Sequence, residues 1–268
     1  MKRRQLLQYA SATFASTLGL GLASNYRTLQ AQTTGQTAGP ISKQNGGLTI
    51  TALGHTCFLF TGDGQRILVN PFKAVGCTAG YTEPTVGADL VLLSSRLFDE
   101  GFVGDRYASA RVIDEPGDYA ISGLSLQGIS MPHDRLNGRR FGSNTAWAWT
   151  QGGVKVVHLG GAAAPIAIED KILLGRPDVL LLPVGGGPKA YAPEEAVEAI
   201  RALNPKIVVP THYRTQAANS DNCDIVGVNE FTALMAGTPT TQGDNTLSVS
   251  AGSLPNSGMR IEVLSYAF

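Results

Sequence analysis

Apolar and polar positions alternate over short stretches along most of the chain, and helix-like spacing is confined to a few places. A period of two over Leu48–Leu53, Cys57–Thr61 and Arg66–Asn70 predicts an opening antiparallel meander, with Gly62-Asp63-Gly64 as a hairpin turn. Asp89–Leu93, Asp178–Pro183 and Lys206–Pro210 are short continuous apolar runs, the pattern of strands buried on both faces. Leu124–Ile129, Thr145–Thr150, Val154–His158 and Met259–Ser265 complete the predicted strands, and Gln151-Gly152-Gly153 supplies a second tight turn. One helix is well marked. Pro193 opens it, Glu194 and Glu195 follow in its first turn, Ala196, Val197, Ile200 and Leu203 form one apolar face, and Asn204-Pro205 ends it. Ile166–Leu174 and Val228–Met235 carry weaker helical spacing. Strands dominate and helices fall between some of them, which predicts an α/β chain with two packed sheets and helices outside. The strand-rich halves, about 47–150 and 151–268, share no short repeat.

The first 46 residues break this pattern. Met1-Lys2-Arg3-Arg4-Gln5-Leu6-Leu7 precedes a mostly apolar stretch of small residues from about Tyr9 to Ala23. A charged start, an apolar middle and small residues at the end make a secretory signal, and the Arg-Arg pair before leucines has the twin-arginine form. Residues 1–31 are expected to be this signal, with cleavage near Ala23 or near Ala31. Residues 32–46, rich in Thr, Gln and Gly, read as a flexible leader to a domain over 47–268. The expected destination is a periplasm or the lumen of an internal membrane system. No later apolar run reaches the roughly 18 residues of a membrane span, so none is expected in the mature chain.

Composition narrows the function classes. Of 268 residues, 43% are hydrophobic and 16% charged, which excludes a disordered chain, and the 32 glycines follow no collagen-like period. Lys+Arg and Asp+Glu both number 21. Residues 1–31 hold Lys2, Arg3, Arg4 and Arg27 and no acid, so without them 17 basic residues face 21 acidic ones, a net charge of −4. A nucleic-acid partner, which calls for a basic face, is not expected. The partner is left as a small molecule or an extracytoplasmic protein. Three cysteines, Cys57, Cys77 and Cys223, allow one disulfide at most, and the alternating run around Cys57 marks it as a core residue.

Candidate chemistry gathers at the predicted strand ends. The chain has four histidines, His55, His133, His158 and His212, each at a strand end or beside Gly, Pro or a turn. The segments around them follow a recognisable order. Gly54-His55-Thr56-Cys57-Phe58, Ile67-Leu68-Val69-Asn70-Pro71-Phe72 and Ala88-Asp89-Leu90-Val91-Leu92-Leu93 come first. Pro116-Gly117-Asp118-Tyr119, Pro132-His133-Asp134, His158-Leu159-Gly160, Leu182-Pro183-Val184-Gly185-Gly186 and Pro210-Thr211-His212-Tyr213 follow. This succession resembles the short metallo-β-lactamase-fold hydrolases grouped with the ascorbate-phosphate lactonases, from about Leu48 to Phe268. The resemblance implies a four-layer αββα sandwich with a metal centre at the sheet edges, where a metal-activated water attacks an ester, lactone or phosphoester.

The implied metal motif is largely replaced. The family carries His-x-His-x-Asp-His after the strand matching Asp89–Leu93, and this chain reads Ser95-Arg96-Leu97-Phe98-Asp99-Glu100. Ser95 and Leu97 stand at the first two histidines, Glu100 stands at the last, and Asp99 alone matches. His133 and His212 match later ligand positions, while Gly161 stands where the resemblance implies a bridging Asp. Asp99, His133 and His212 are therefore the surviving metal candidates, with Glu100 as a further oxygen donor and Ser95 and Arg96 as ligand-binding candidates. No catalytic residue is assigned, for no Gly-x-Ser-x-Gly elbow supports a serine nucleophile. Gly185-Gly186-Gly187 lacks the Lys-Ser/Thr of a phosphate loop and reads as a structural turn. Three readings follow: a metal-free exported relative that binds a ligand or protein; a residual mononuclear hydrolase using Asp99, Glu100 and His212 with zinc or manganese; and an assembly subunit of an extracytoplasmic complex. The first, without cofactor, is the main expectation.

Overall fold

The computed structural model describes residues 46–218 and 222–266. The expected signal, and all but the last residue of the expected leader, lie outside them.

Strands and helices are numbered along the chain. Six strands make the first sheet: β1 (Leu48–Gly54), β2 (Cys57–Gly62), β3 (Gln65–Val69), β4 (Leu90–Leu92), β5 (Arg111–Ile113) and β13 (Thr246–Val249), in the spatial order β13-β1-β2-β3-β4-β5. Eight make the second: β6 (Gly117–Ile121), β7 (Leu124–Pro132), β8 (Ser143–Gln151), β9 (Val154–His158), β10 (Val179–Pro183), β11 (Ile207–Thr211), β12 (Thr240–Gly243) and β14 (Arg260–Leu264). Their order is β12-β14-β11-β10-β9-β8-β7-β6. The chain leaves the first sheet after Ile113, earlier than the boundary near residue 150 that the sequence suggested, and returns to it with β13.

The two inner faces share one core. Ile50, Phe60, Ile67 and Leu92 of the first sheet pack with Leu126, Trp147, Leu181 and Val209 of the second. Alternation along β10 sends Val179 and Leu181 inward and Leu180 and Leu182 outward, where they meet the helices. Three helices, α1 (Ile168–Leu174), α2 (Pro193–Leu203) and α3 (Val228–Leu234), cover that outer face through Leu174, Ala196, Ile200, Leu203 and Phe231. The helix read from Pro193 has the expected bounds, because every cue agreed. Pro193 at the first position, an apolar stripe and Asn204 in a left-handed cap (φ 48°) define its ends. Glu195 also accepts the Ala192 amide at 2.7 Å.

The outer face of the first sheet is covered differently. Phe72, Tyr81 and Tyr107 cover Cys57, Leu68 and Val91, and they come from loops and two 3-10 turns, Gly76–Thr78 and Asp105–Tyr107. The αββα sandwich is thus realised with turns in place of helices on that side, among the described residues. Cys57 is buried in this layer, and Cys77 bonds to Cys223.

The arrangement of strand ends positions the site. β3, β4 and β5 run parallel, as do β9, β10, β11 and β14. Functional groups in such sheets collect beyond the carboxyl ends of the strands. Here the loops after β4, β7, β9, β10 and β11 converge with the β1–β2 turn, tied by Thr145 N to Ser94 O at 2.7 Å and His212 N to His55 O at 3.2 Å.

Candidate metal centre

His55 and His212 occupy unusual backbone positions. His55 fills the tight turn between β1 and β2 at φ 55°, and His212 follows β11 at φ 49°. Left-handed backbone costs a non-glycine residue roughly 1–3 kcal/mol and persists where surrounding structure imposes it. Here the His212 amide bonds the His55 carbonyl, so the two strained turns hold each other. Their rings lie 4.1 Å apart between centroids at 44°. Both are buried, and among the described residues none of their four ring nitrogens has a hydrogen-bond partner. Unpaired buried nitrogens are costly, roughly 1–3 kcal/mol for each desolvated group, and a set of four calls for an explanation.

Asp99 supplies the third donor. It lies on the loop after β4, whose start is locked by Ser94 N to Asn70 Oδ1 at 2.7 Å and by Trp147 Nε1 to Leu93 O at 3.1 Å. One ligand atom from each of His55, Asp99 and His212 falls within 4.8 Å of the others. Two imidazoles and one carboxylate form a donor set that suits a divalent transition metal. A cation bound among these residues would take one nitrogen of each ring, so it would satisfy two of the four. Burial pushes the His55 ring down to about 3, reinforced by the Lys189 ammonium. Burial, His55 and Lys189 likewise hold His212 well below the usual imidazole value. Both rings are therefore neutral and free to donate to a metal at pH 7.

Lys189 enters the same cluster. Its ammonium donates to both Asp99 oxygens, at 2.7 and 2.6 Å, and lies 3.9 Å from Glu100 Oε1. Burial alone would lower this ammonium, and the facing Glu100 and Asp99 carboxylates raise it instead. Its loop is rigid. Arg135 donates to Gly187 O at 2.8 Å and Ala190 O at 2.9 Å while its Nε holds Glu195 at 2.6 Å.

The other candidates take up separate positions. His133 does not join His55, Asp99 and His212; its Nε2 lies 2.8 Å from Glu100 Oε1, both side chains being fully buried. Ser95 Oγ donates to the same Glu100 oxygen at 2.9 Å. Burial would raise the Glu100 carboxyl, yet Lys189 and His133 outweigh it and hold the group well below the carboxylate range. Gly161 explains its room. A Cβ there would lie 2.5 Å from Glu100 Oε2 and 2.6 Å from His133 Nε2. The Glu100 carboxylate thus fills space beside residue 161, where the resemblance implied an acid. Arg96 points away and pairs with Asp114 at the surface. His158 is a structural residue, bonded to Thr56 O at 3.1 Å and accepting the Gly160 amide at 3.0 Å.

A cavity of about 260 Å³ opens beside the cluster, bordered by Asp99, Lys189, His212, Arg140, Phe141 and Asp224. Cys77 and its loop form part of the same wall.

Residues 49–212 match the model of the beta-lactamase superfamily domain. The chain belongs to this superfamily. It is 30% identical over 191 residues to a UPF0173 metal-dependent hydrolase of Thermus thermophilus, covering 61% of this chain and 82% of that one. A UPF0173 metal-dependent hydrolase of Thermococcus onnurineus is 28% identical over 193 residues, with 61% and 83% covered. A metallo-beta-lactamase superfamily structure from Thermotoga maritima superposes with a TM-score of 0.63 at 27% identity, over 81% of this chain and 98% of that one. The superfamily member described here is thus a metallo-β-lactamase-fold chain of a metal-dependent hydrolase family, and His55, Asp99 and His212 form its candidate metal site.

Two residues of this centre were missed in the sequence. His55 was visible as a strand-end histidine but has no place in the His-x-His-x-Asp-His pattern, and Lys189 sits just beyond the glycine turn that read as structural.

The buried histidines set a pH dependence. His55, His158 (lowered by burial to about 4) and His212 all fold with depressed values. The unfolded chain takes up protons first as the pH falls through about 6.5, so their contribution is complete above that value and is lost below it. Between pH 6.5 and 5, each costs roughly 1.4 kcal/mol per pH unit. Urea unfolding with a chelator present is expected to show stability falling steeply over that window, and less steeply in His158→Asn. A flat profile would contradict the burial of neutral imidazoles.

Proposed function

We propose that the chain is an exported hydrolase that works with one divalent metal, zinc or manganese, on an ester, lactone or phosphoester. The observation that carries this reading is the convergence of His55, Asp99 and His212 with their ring nitrogens unpartnered. This is the mononuclear expectation with one change of ligand: His55 takes the place assigned to Glu100, which turns toward His133. When bound, a metal at these three donors would polarise a substrate oxygen and lower the pKa of a coordinated water. The chain supplies the rest. The cavity admits a small substrate, and Lys189 and Arg140 on its wall attract a carbonyl or phosphoryl oxygen. Hydrolase activity is further supported by the metal-dependent hydrolases to which the chain is similar.

Export is part of this proposal. The Arg3-Arg4 pair supports it, and so does the Cys77–Cys223 disulfide, since such bonds persist in oxidising compartments. Replacing Arg3 and Arg4 by Lys should retain the protein in the cytoplasm on cell fractionation; unchanged distribution would remove the twin-arginine route.

A second reading, a metal-free relative that binds a ligand or protein, is favoured by one contact. Lys189 already neutralises Asp99, a role that a metal would otherwise take. Elemental mass spectrometry separates the two. Protein purified without chelator or histidine tag is expected to hold about one equivalent of metal per chain, lost in His212→Ala. Less than about a tenth of an equivalent, even after incubation with zinc or manganese, would establish the metal-free reading instead.

A further inference from the structure

Two carboxylates on the loop after β4, Asp99 and Glu100, lie near the Lys189 ammonium, and Glu100 Oε2 has no hydrogen-bond partner among the described residues. Glu100 is fully buried and the Asp99 side chain is 20% exposed. One buried and one half-buried carboxylate on adjacent residues need a cation, because an isolated buried charge costs several kcal/mol to desolvate. The cation present is the Lys189 ammonium, centred on Asp99 and 3.9 Å from Glu100. Its side chain is only 14% exposed and its loop is clamped by Arg135, so the charge cannot swing freely into solvent. Gly161 and Glu100 are sterically linked. With glycine at 161 the second acidic group comes from residue 100, in space that a side chain at 161 would fill.

We infer that the Lys189 ammonium does the electrostatic work of a second metal ion in this centre. It pairs directly with Asp99 and offsets Glu100 at longer range, leaves His55 and His212 as the nitrogen donors, and limits the centre to one metal that must share Asp99 with it. This rests on the metal reading above only for its second half. The first half concerns charge balance without metal.

A divalent ion bound to Asp99 lies within a few ångströms of the ammonium, and that repulsion weakens binding. Lys189→Met removes the repulsion and leaves Asp99 and Glu100 uncompensated. Zinc affinity, measured by chelator competition, is expected to be at least tenfold tighter in Lys189→Met than in the native chain, and unchanged in Lys189→Arg. In chelator, Lys189→Met is expected to unfold at a lower urea concentration, with Lys189→Arg close to the native midpoint and added zinc restoring the loss. Equal zinc affinity in the native chain and Lys189→Met would overturn the inference while leaving the metal reading intact. No zinc bound by either would overturn the metal reading, and the inference would then stand on the metal-free midpoints: a loss in Lys189→Met recovered in Lys189→Arg supports it, and equal midpoints overturn it. Should Lys189→Met fail to fold in chelator, recovery by zinc during refolding supports it and failure with zinc as well overturns it.

Discussion

Two acids, Asp99 and Glu100, are carried by one short loop into a site where water is largely excluded, and one ammonium faces them both. Removing one partner of such a buried pair costs roughly 3–5 kcal/mol, a large part of the stability of a domain. The surrounding structure follows from keeping that charge balance. Arg135 locks the loop that carries Lys189, and Asn70 with Ser94 locks the start of the loop that carries the acids. Trp147 ties the second sheet to the same point through Leu93. The two strained histidines lie opposite, bonded backbone to backbone, with neutral rings.

This balance gives a physical account of a divergent member of a metal-dependent hydrolase family. Ser95, Leu97 and Glu100 stand where the resemblance led us to expect three imidazoles. Ser95 donates a hydrogen bond to Glu100, and His133 sits against the same carboxylate. What remains for a metal lies on the other side of Asp99, with His55 and His212. Asp99 is thus shared between an ion pair with Lys189 and a donor set with His55 and His212.

The fold was legible in the sequence where local and global signals agree. β9 and α2 have the bounds that the pattern predicted, because apolar period, turn residues and caps coincide there. The missed strands are short or at edges. β5 spans Arg111–Ile113 alone, and β12 (Thr240–Gly243) is exposed along its length, so neither leaves an apolar period. The site was legible only in part. Asp99 and His212 come from an ordered motif succession, but their third partner comes from a turn more than 40 residues upstream of Asp99, and no spacing rule links them. Lys189 was hidden for a different reason. A lysine after a glycine turn is ordinary, and only the fold reveals that its ammonium faces two buried acids.

The central claim is that one metal binds at His55, Asp99 and His212, beside an ammonium that holds the other charge. X-ray absorption spectroscopy on the protein loaded with one equivalent of zinc tests it most directly. The account predicts two imidazole nitrogens and at least one oxygen in the zinc's coordination shell, with one imidazole lost in His55→Ala. A shell of oxygens only, or one unaffected by that substitution, would place zinc elsewhere and contradict the claim.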